Sequence, residues 1–575
     1  MIKSARFSRF LVGAFGTAVL ASSIAGAQVS VEKVVATNKI LQQVKASVSK
    51  LDARHQKMLD GTSNIVHLAS VWEKYGMRLT DPTFVARAKV ARSAATATAS
   101  GAATPAASGG IVPVSNPNSD IAWSSFGGFT QSETSTARCG NSVVVGYNDS
   151  GSVFETPFFF TGTGGQSLSG SSYSTNGGAS FTDIGPINPG PNIYNFLGGD
   201  PGVNCADAHT FYYTQIFDYF DSSFNPFVAI SINTSTDGGK SWGDPVAAIS
   251  KDGNSHSLDK PWSTIDPSNH KRIFVSYTDF DFTFSSTACP NDFRTAIEFV
   301  ESRDGGVTWS APNVAIEVCG NAAVQGSQMA VSSTGKLYIS WVNLGSNFPL
   351  GPRAIQISSF AKHTLSAPVT VEASIQPGGD SYYLQGEFRD FLDMAMAIDH
   401  SGTATDGALY ITWADGRDKI VPDPLAIQGA YAYDDVLLRA SFDGGATWGF
   451  SPIKVNSDIQ SRLGSGHDHY QSGIAVDNRG IVAVCYYDRR ADWENFAIRR
   501  HCGESTDGGF SFTDSDIGLA SSAPTHGNDL FINPIYMGDY DQLTSDFMNN
   551  HSGFIGAFES QTTRGNPDAV AHAMN

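Results

Sequence analysis

Five short segments in the C-terminal part of the chain contain more charged and acid–base side chains than turns require. They are 387–390 (Glu-Phe-Arg-Asp), 415–418 (Asp-Gly-Arg-Asp), 467–470 (His-Asp-His-Tyr), 488–490 (Asp-Arg-Arg) and 536–541 (Tyr-Met-Gly-Asp-Tyr-Asp). Guanidinium groups bind carboxylates through paired hydrogen bonds, and carboxylates, histidines and tyrosines transfer protons or act as nucleophiles. Salt bridges between neighbouring surface residues are the alternative interpretation. The segments form a candidate site if the fold brings them together.

A repeated β pattern supplies the elements that would position these segments. Seven runs of β-forming residues each end in an apolar residue, a spacer and a polar residue. The polar residues are Asp149, Gln215, Asp279, Asn343, Asp415, Asp488 and Glu559. They recur roughly every 70 residues, which suits a propeller blade of four short strands and their turns. The repeat predicts an all-β, seven-bladed β-propeller, with six blades as the alternative, and places the charged segments at the channel mouth of three adjacent blades.

Five octets repeat a second pattern: Ser, any residue, Asp or Asn, any residue, Gly, any residue, Ser or Thr, then Trp or Phe. Their third positions are Asn176, Asp237, Asp304, Asp443 and Asp507. We expect these side chains to accept hydrogen bonds within a tight turn, in which Gly supplies a positive φ. Their role is therefore structural. The octet resembles the Asp-box of sialidases and related β-propellers, and residues 357–368 stand where a sixth box is missing.

The resemblance to sialidases implies roles for the charged segments. In that family three arginines bind the substrate carboxylate, a tyrosine paired with a glutamate is the nucleophile, and an aspartate is the acid/base. By residue type, the resemblance assigns these roles to Arg389, Arg417 and Arg489 as the arginines, Tyr540 with Glu387 or Glu559 as the nucleophile pair, and Asp468 as the acid. The chain departs from the family because it lacks an Arg-Ile-Pro motif in the first blade, and because sialidases have six blades.

Three functions follow as hypotheses. The first is an exported, sialidase-like glycoside hydrolase acting on sialic acid or another acidic glycan at the propeller mouth. The second is a non-catalytic propeller that binds a glycan or protein at the cell surface, favoured by the seven blades and the missing motif. The third uses His467 and His469 as metal ligands, although two histidines on a loop are a weak signal. We predict no cofactor and no metal.

The N-terminal residues predict export. Residues 1–27 combine basic residues, an apolar centre and the small-residue sequence Ala25-Gly-Ala27, which is typical of a secretory signal peptide. A secreted or periplasmic location follows, and no later segment is apolar enough to span a bilayer. The formal net charge of −18 argues against binding nucleic acid through its phosphates.

The remaining boundaries follow from composition. Apolar residues recur at helical spacing in 28–90, an Ala/Ser/Thr/Gly-rich linker covers 91–114, and the propeller covers 115–575. The seventh repeat is short, so we expect the strand 120–126 to be donated from the N-terminal side to close the ring.

All six cysteines fall in the propeller, and an even number in an exported chain predicts three disulfides. We predict the pairs Cys139–Cys205, Cys289–Cys319 and Cys485–Cys502, with free buried thiols as the alternative.

Overall fold

The computed structural model describes most of the propeller and little of the N-terminal region. The described residues are 110–116, 130–155, 164–223, 225–346, 351–380, 383–386, 388–390, 394–458, 466–519, 529, 537–546, 548–549, 551–560 and 567–574, with residues 42, 45, 46, 49 and 56. The predicted signal peptide, nearly all of 28–90, the linker up to residue 109 and the expected strand 120–126 lie outside them.

Seven sheets, each built on four antiparallel strands, form the blades of a β-propeller, which confirms the predicted fold and blade number. Blade 1 contains Gln131–Cys139, Ser142–Asp149, Ser169–Ser174 and Thr182–Pro186. Blade 2 contains Gly202–Cys205, Phe211–Phe220, Pro226–Ser235 and Val246–Asp252, extended by the short strands Gln166–Ser167 and Phe196–Leu197. Blade 3 contains His256–Asp266, Asn269–Asp281, Arg294–Ser302 and Asn313–Cys319. Blade 4 contains Ala323–Val331, Leu337–Gly345, Arg353–Ala361 and Val369–Ile375, with the short strand Thr364–Leu365.

The last three blades follow the same order from the channel outward. Blade 5 contains Met394–Ile398, Leu409–Pro422, Ala430–Ser441 and Ile453–Lys454. Blade 6 contains His469–Val476, Val482–Asp488, Arg499–Ser505 and Thr513–Asp516. Blade 7 contains Leu543–Asp546, His551–Ser560, Asp568–Met574 and Ile111–Pro113. A two-stranded hairpin, Tyr383–Leu384 with Phe388–Arg389, precedes blade 5, and a short helix, Ser152–Glu155, follows the second strand of blade 1.

The ring closes through an N-terminal strand, as expected, but this strand is Ile111–Pro113. It pairs with Asp568–Met574 and so supplies the outer strand of blade 7. These residues fall within the range that composition assigns to the linker, because a three-residue strand that ends in a proline carries too little pattern to be recognised. Closure of this kind leaves no sheet edge exposed at the seam.

A buried apolar or aromatic side chain recurs two residues before each predicted polar end and holds the blades together. These residues, all with 0% exposure, are Tyr147, Tyr213, Tyr277, Trp341, Trp413, Tyr486 and Ala557. They belong to apolar clusters that span neighbouring blades. The repeat in the sequence therefore marks, once per blade, a side chain that packs in the apolar core between neighbouring blades.

The octets form the turns between the third and fourth strands. In the octet of blade 3, the Asp304 carboxylate accepts hydrogen bonds from the Thr308 hydroxyl at 2.6 Å and from the Thr308 amide at 2.9 Å. Where the sixth box is missing, Lys362 and His363 both have positive φ, of 50° and 62°. Two such residues make a tight hairpin, so a two-residue turn replaces the octet in blade 4.

Replacing Asp304 with Ala is expected to lower the Tm without changing any activity per folded molecule. The hydrogen bonds from Thr308 lower the pKa of Asp304 to about 2, below its ordinary value of 3.8. A carboxyl group with a lowered pKa stabilises the fold above its unfolded pKa, and this contribution is lost as pH falls through the folded pKa. The Tm difference between this variant and the wild type should therefore be largest at pH 6 and should decrease toward pH 2. A Lys240→Ala variant, in the neighbouring octet, serves as the control, and an equal Tm loss there would contradict this account.

The three predicted disulfides are confirmed. Cys139 pairs with Cys205 across blades 1 and 2, and Cys289–Cys319 and Cys485–Cys502 each lie within one blade. Disulfides are typical of proteins in oxidising compartments. Among the described residues, no helix has the length and apolar character to cross a membrane.

Candidate functional site

A residue in the left-handed backbone region lies near the start of the inner strand in several blades. The φ angle is 53° at Glu133 in blade 1, 58° at Asp200 just before blade 2, and 49° at both Lys260 in blade 3 and Gln471 in blade 6. In blades 1, 3 and 6 this residue lies in a bulge, where the pairing with the second strand shifts register. Such backbone strain costs about 1–3 kcal/mol per residue and concentrates at functional sites. The bulges lie at the end of the central channel where the inner strands begin.

The buried ammonium group of Lys260 joins three of these elements. Its Nζ lies 2.6 Å from Glu133 Oε1, 3.4 Å from Asp200 Oδ2 and 2.6 Å from Asp539 Oδ2. The second oxygen of Glu133 accepts a hydrogen bond from Asn148 at 3.0 Å. Blades 1, 2 and 3 and the entrance to blade 7 therefore meet at one lysine.

Arg389 brings the hairpin that precedes blade 5 to the same place. Its Nε and Nη2 donate to the two oxygens of Asp539 at 3.0 and 2.8 Å. We name Glu133, Asp200, Lys260, Arg389 and Asp539 the mouth cluster. All five are buried, with at most 7% exposure. Buried charges of this kind are stable only when they are paired.

The carboxyl groups of the mouth cluster differ in their affinity for protons. Burial and the adjacent Asp200 raise the pKa of Glu133 to about 8, although Lys260 opposes the shift. Burial alone would raise the pKa of Asp539 as well, but Arg389 and Lys260 lower it to about 2. Burial raises the pKa of Asp259, beside Lys260, to about 6. At neutral pH the cluster therefore holds a protonated carboxyl group beside ionised ones.

Two cavities lie along the channel below the cluster. The smaller, of about 30 Å³, is lined by Trp262, Asp539 and Tyr540, and has room for one or two water molecules. The larger, of about 180 Å³, is lined by the inner strands of the blades. Ile474 and Gln542 line both cavities, which makes them consecutive parts of one channel.

The three arginines that the sialidase resemblance assigns to one grip have different carboxylate partners. Arg389 lies in the mouth cluster, Arg417 pairs with Asp415 and Glu372, and Arg489 lies 3.4 Å from Asp468. Each guanidinium group is thus already paired with a carboxylate of the protein. Sequence position alone could not separate them, because all three follow or precede strand ends of neighbouring blades.

The other predicted catalytic residues also have defined surroundings. Tyr540 is half-buried at the cluster, and its hydroxyl donates to the Pro201 carbonyl at 2.9 Å. Burial holds the pKa of Tyr540 well above its usual value. Asp468 is buried and accepts hydrogen bonds from Tyr431 and Asn495, both at 2.7 Å. Glu387 lies outside the described residues.

Most of the repeated polar residues cap the ends of the second strands. Asp149, Asn343, Asp415 and Asp488 each accept a hydrogen bond from the amide two residues later. This favours the capping role that the sequence allows for them. Glu559 differs, because its buried carboxyl group lies beside Gly538 and burial raises its pKa well above the usual range.

The histidines considered as metal ligands both face the Asp458 carboxylate. His467 Nδ1 lies 3.0 Å and His469 Nε2 lies 3.7 Å from Asp458 Oδ2, and His469 Nδ1 lies 2.9 Å from the Asp434 carbonyl. Elsewhere in the described part of the chain, His256, Asp279 and Asp281 place possible ligand atoms within 4.8 Å of one another. Asp279 already pairs with Lys251 and Arg294, so this group is an ion-pair network.

Comparison with known proteins adds similarities of fold. No protein-family profile and no curated protein matches the sequence. An α-L-arabinofuranosidase of Fusarium graminearum in complex with arabinobiose is 15% identical, with a TM-score of 0.38, over 64% of this chain and 89% of that one. An ulvan lyase is 11% identical, with a TM-score of 0.44, over 79% and 96% of the two chains. The NanB sialidase of Streptococcus pneumoniae is 11% identical, with a TM-score of 0.39, over 76% and 83%. Similarities of this size do not assign an activity.

Proposed function

We propose that this chain is an exported glycan-acting enzyme that cleaves a glycosidic bond at the mouth cluster. The observation that carries the proposal is the meeting of Glu133, Asp200 and Lys260 on strained backbone at the entrances of three inner strands. Strained, buried ionisable groups gathered at a channel mouth are typical of catalytic sites. A signal-peptide-like N-terminus and three disulfides support an extracellular role.

The chemistry follows from the two kinds of carboxyl group. Glycosidases protonate the leaving oxygen with one carboxylic acid while a second, ionised carboxylate assists the departure of the sugar. Glu133 is the proton donor in this proposal, because it keeps its proton at neutral pH. Asp259 is the ionised partner, and Lys260 with Arg389 holds the surrounding carboxylates in place.

The proposed substrate is a neutral glycan. The arginines expected to grip an acidic sugar are each paired with a protein carboxylate, and the cluster has more carboxyl groups than cations. An anionic ring would find these cations already paired with carboxylates of the protein. The carboxylate of a sialoside could bind Arg389 only by displacing Asp539. The sialidase hypothesis therefore requires this exchange.

A substrate panel tests this proposal. The purified protein is incubated with fluorogenic neutral glycosides, uronides and a sialoside, and with soluble polysaccharides, while fluorophore release and new reducing ends are measured. Cleavage of a neutral substrate is the expected result. Cleavage of the sialoside alone would contradict the neutral-glycan assignment, and silence across the panel would contradict the enzymatic one.

A glycan-binding propeller without catalysis is the second candidate. This function is favoured because Glu133 is fully buried and the charges of the mouth cluster are paired with one another. The ion pairs of the cluster would then have the structural role of joining blades 1, 2, 3 and 7. Binding to a panel glycan without cleavage would select this function.

A further inference from the structure

Trp493 stands exposed on the connection that leaves the second strand of blade 6. Its side chain is 80% exposed, whereas the other described tryptophans are buried or half-buried. The connection leaves from the end of Val482–Asp488, and therefore lies on the face where the inner strands begin. That face carries the mouth cluster.

The loop that carries Trp493 is fixed on both sides of the tryptophan. The Asp492 carboxylate accepts hydrogen bonds from the amides of Glu494, Phe496 and Ala497, at 3.1, 3.1 and 2.7 Å. Asn495 adopts a positive φ of 54° and is 1% exposed. An aromatic ring on so constrained a loop cannot fold back easily to cover its apolar surface.

A buried polar network anchors this loop from below. The Asp468 carboxylate accepts from Asn495 Nδ2 at 2.7 Å, and the Asp468 amide donates to Asn495 Oδ1 at 2.8 Å. Arg489 is fully buried and donates to the Asn495 carbonyl at 2.8 Å. Two residues that the sequence assigns to the site thus support the loop that holds Trp493.

The same loop is continuous with the mouth cluster. Gly386 approaches the Phe496 ring so closely that an added Cβ would lie 2.7 Å from Cε2. Gly386 belongs to the hairpin that delivers Arg389 to Asp539. The amide of Gln385 in this hairpin also donates to the Tyr431 hydroxyl, which in turn donates to Asp468.

We propose that Trp493 is a platform on which one sugar ring of a neutral glycan stacks at the rim of the mouth. This inference rests on the proposed function for its ligand class. The negative face of an indole ring suits the C–H-bearing face of an uncharged sugar, and a rigid aromatic side chain binds with little loss of conformational entropy. The loop's fixed geometry favours binding for the same reason.

Electrophoresis of the full chain through native gels containing soluble xylan, arabinan, galactomannan or dextran tests the platform. We expect at least one polysaccharide to retard the wild type, and Trp493→Ala to raise the apparent Kd by about tenfold or more, since such a loss equals about 1.4 kcal/mol. Phe450→Ala is the matched control, because Phe450 is fully exposed in the octet-side turn of blade 5, on the opposite face. Because both side chains are exposed, both variants should keep the wild-type Tm.

The outcomes separate this inference from the proposed function. The platform is overturned if the gels retard Trp493→Ala as strongly as the wild type. It is also overturned if no gel retards the wild type. Retardation that depends on Trp493, with no cleavage of any panel substrate, supports the platform and overturns the enzymatic function. Cleavage of small glycosides without retardation in any gel supports the enzymatic function and overturns the platform.

Discussion

A Glu133→Gln variant is expected to lose about 10²- to 10⁴-fold of the glycan-cleaving activity while remaining folded, the range that a general acid contributes. The amide preserves the size of the side chain, and its oxygen can still accept from Lys260 Nζ. Its NH2 group replaces the oxygen that accepts from Asn148, and it cannot supply the proton. The quantity to measure is kcat/KM per folded molecule on the panel substrate that the wild type cleaves. The Tm, read by circular dichroism, establishes that the variant is folded.

Glu298→Gln is the matched control for Glu133→Gln. Glu298 is also a buried carboxylate, but it pairs with Arg294 and Lys251 in the outer part of blade 3. We expect this variant to keep its activity even if its Tm falls. Equal activity losses in the two variants would show that stability, and not proton donation, links Glu133 to function.

Replacing Lys260 with Met is expected to lower the free energy of unfolding by about 3–5 kcal/mol, the range found when one partner of a buried ion pair is removed. The substitution leaves Glu133, Asp200 and Asp539 buried without their shared cation. Urea denaturation followed by fluorescence measures the effect. The loss should be smaller at pH 5 than at pH 8, because protonation of the carboxyl groups relieves their repulsion.

Lys251→Met provides the comparison for Lys260→Met. Lys251 also pairs with two carboxylates, Asp279 and Glu298, but it is more exposed, and Arg294 remains to neutralise them. The expected loss is therefore clearly smaller. If the two lysine variants lose the same free energy, the mouth cluster has no special role in joining the blades.

The fold was predictable because its signals are local and repeated. Each second strand carries its own buried aromatic or apolar residue and a polar residue at its end, so that Trp341 with Asn343 and Trp413 with Asp415 report separate blades. The disulfide pairs were predictable for the same reason, because the repeat assigns each cysteine to a blade. The closing strand escaped prediction because Ile111–Pro113 has only three residues and pairs with a partner at the other end of the chain.

The mouth cluster was only partly predictable. The sequence singled out Arg389, Asp539 and Tyr540, but not Glu133, Asp200 or Lys260. These three stand apart in the sequence and meet only when the ring closes. Each nevertheless lies two residues before the point where its inner strand begins or resumes pairing with the second strand. Aligning the blades at that position would have provided the missing signal, since a lysine at the start of a buried strand needs a partner.

The pH dependence of wild-type kcat/KM tests the central claim most directly, because it reports the essential acid of the free enzyme. The pKa of Glu133 is raised from an ordinary 4.5 to about 8, so the group is protonated below pH 8 and loses its proton above it. We predict that kcat/KM is retained at pH 7 and falls as pH rises through about 8. A profile that stays flat from pH 7 to 9.5, or falls already near the ordinary glutamate pKa, would contradict the assignment of Glu133 as the proton donor.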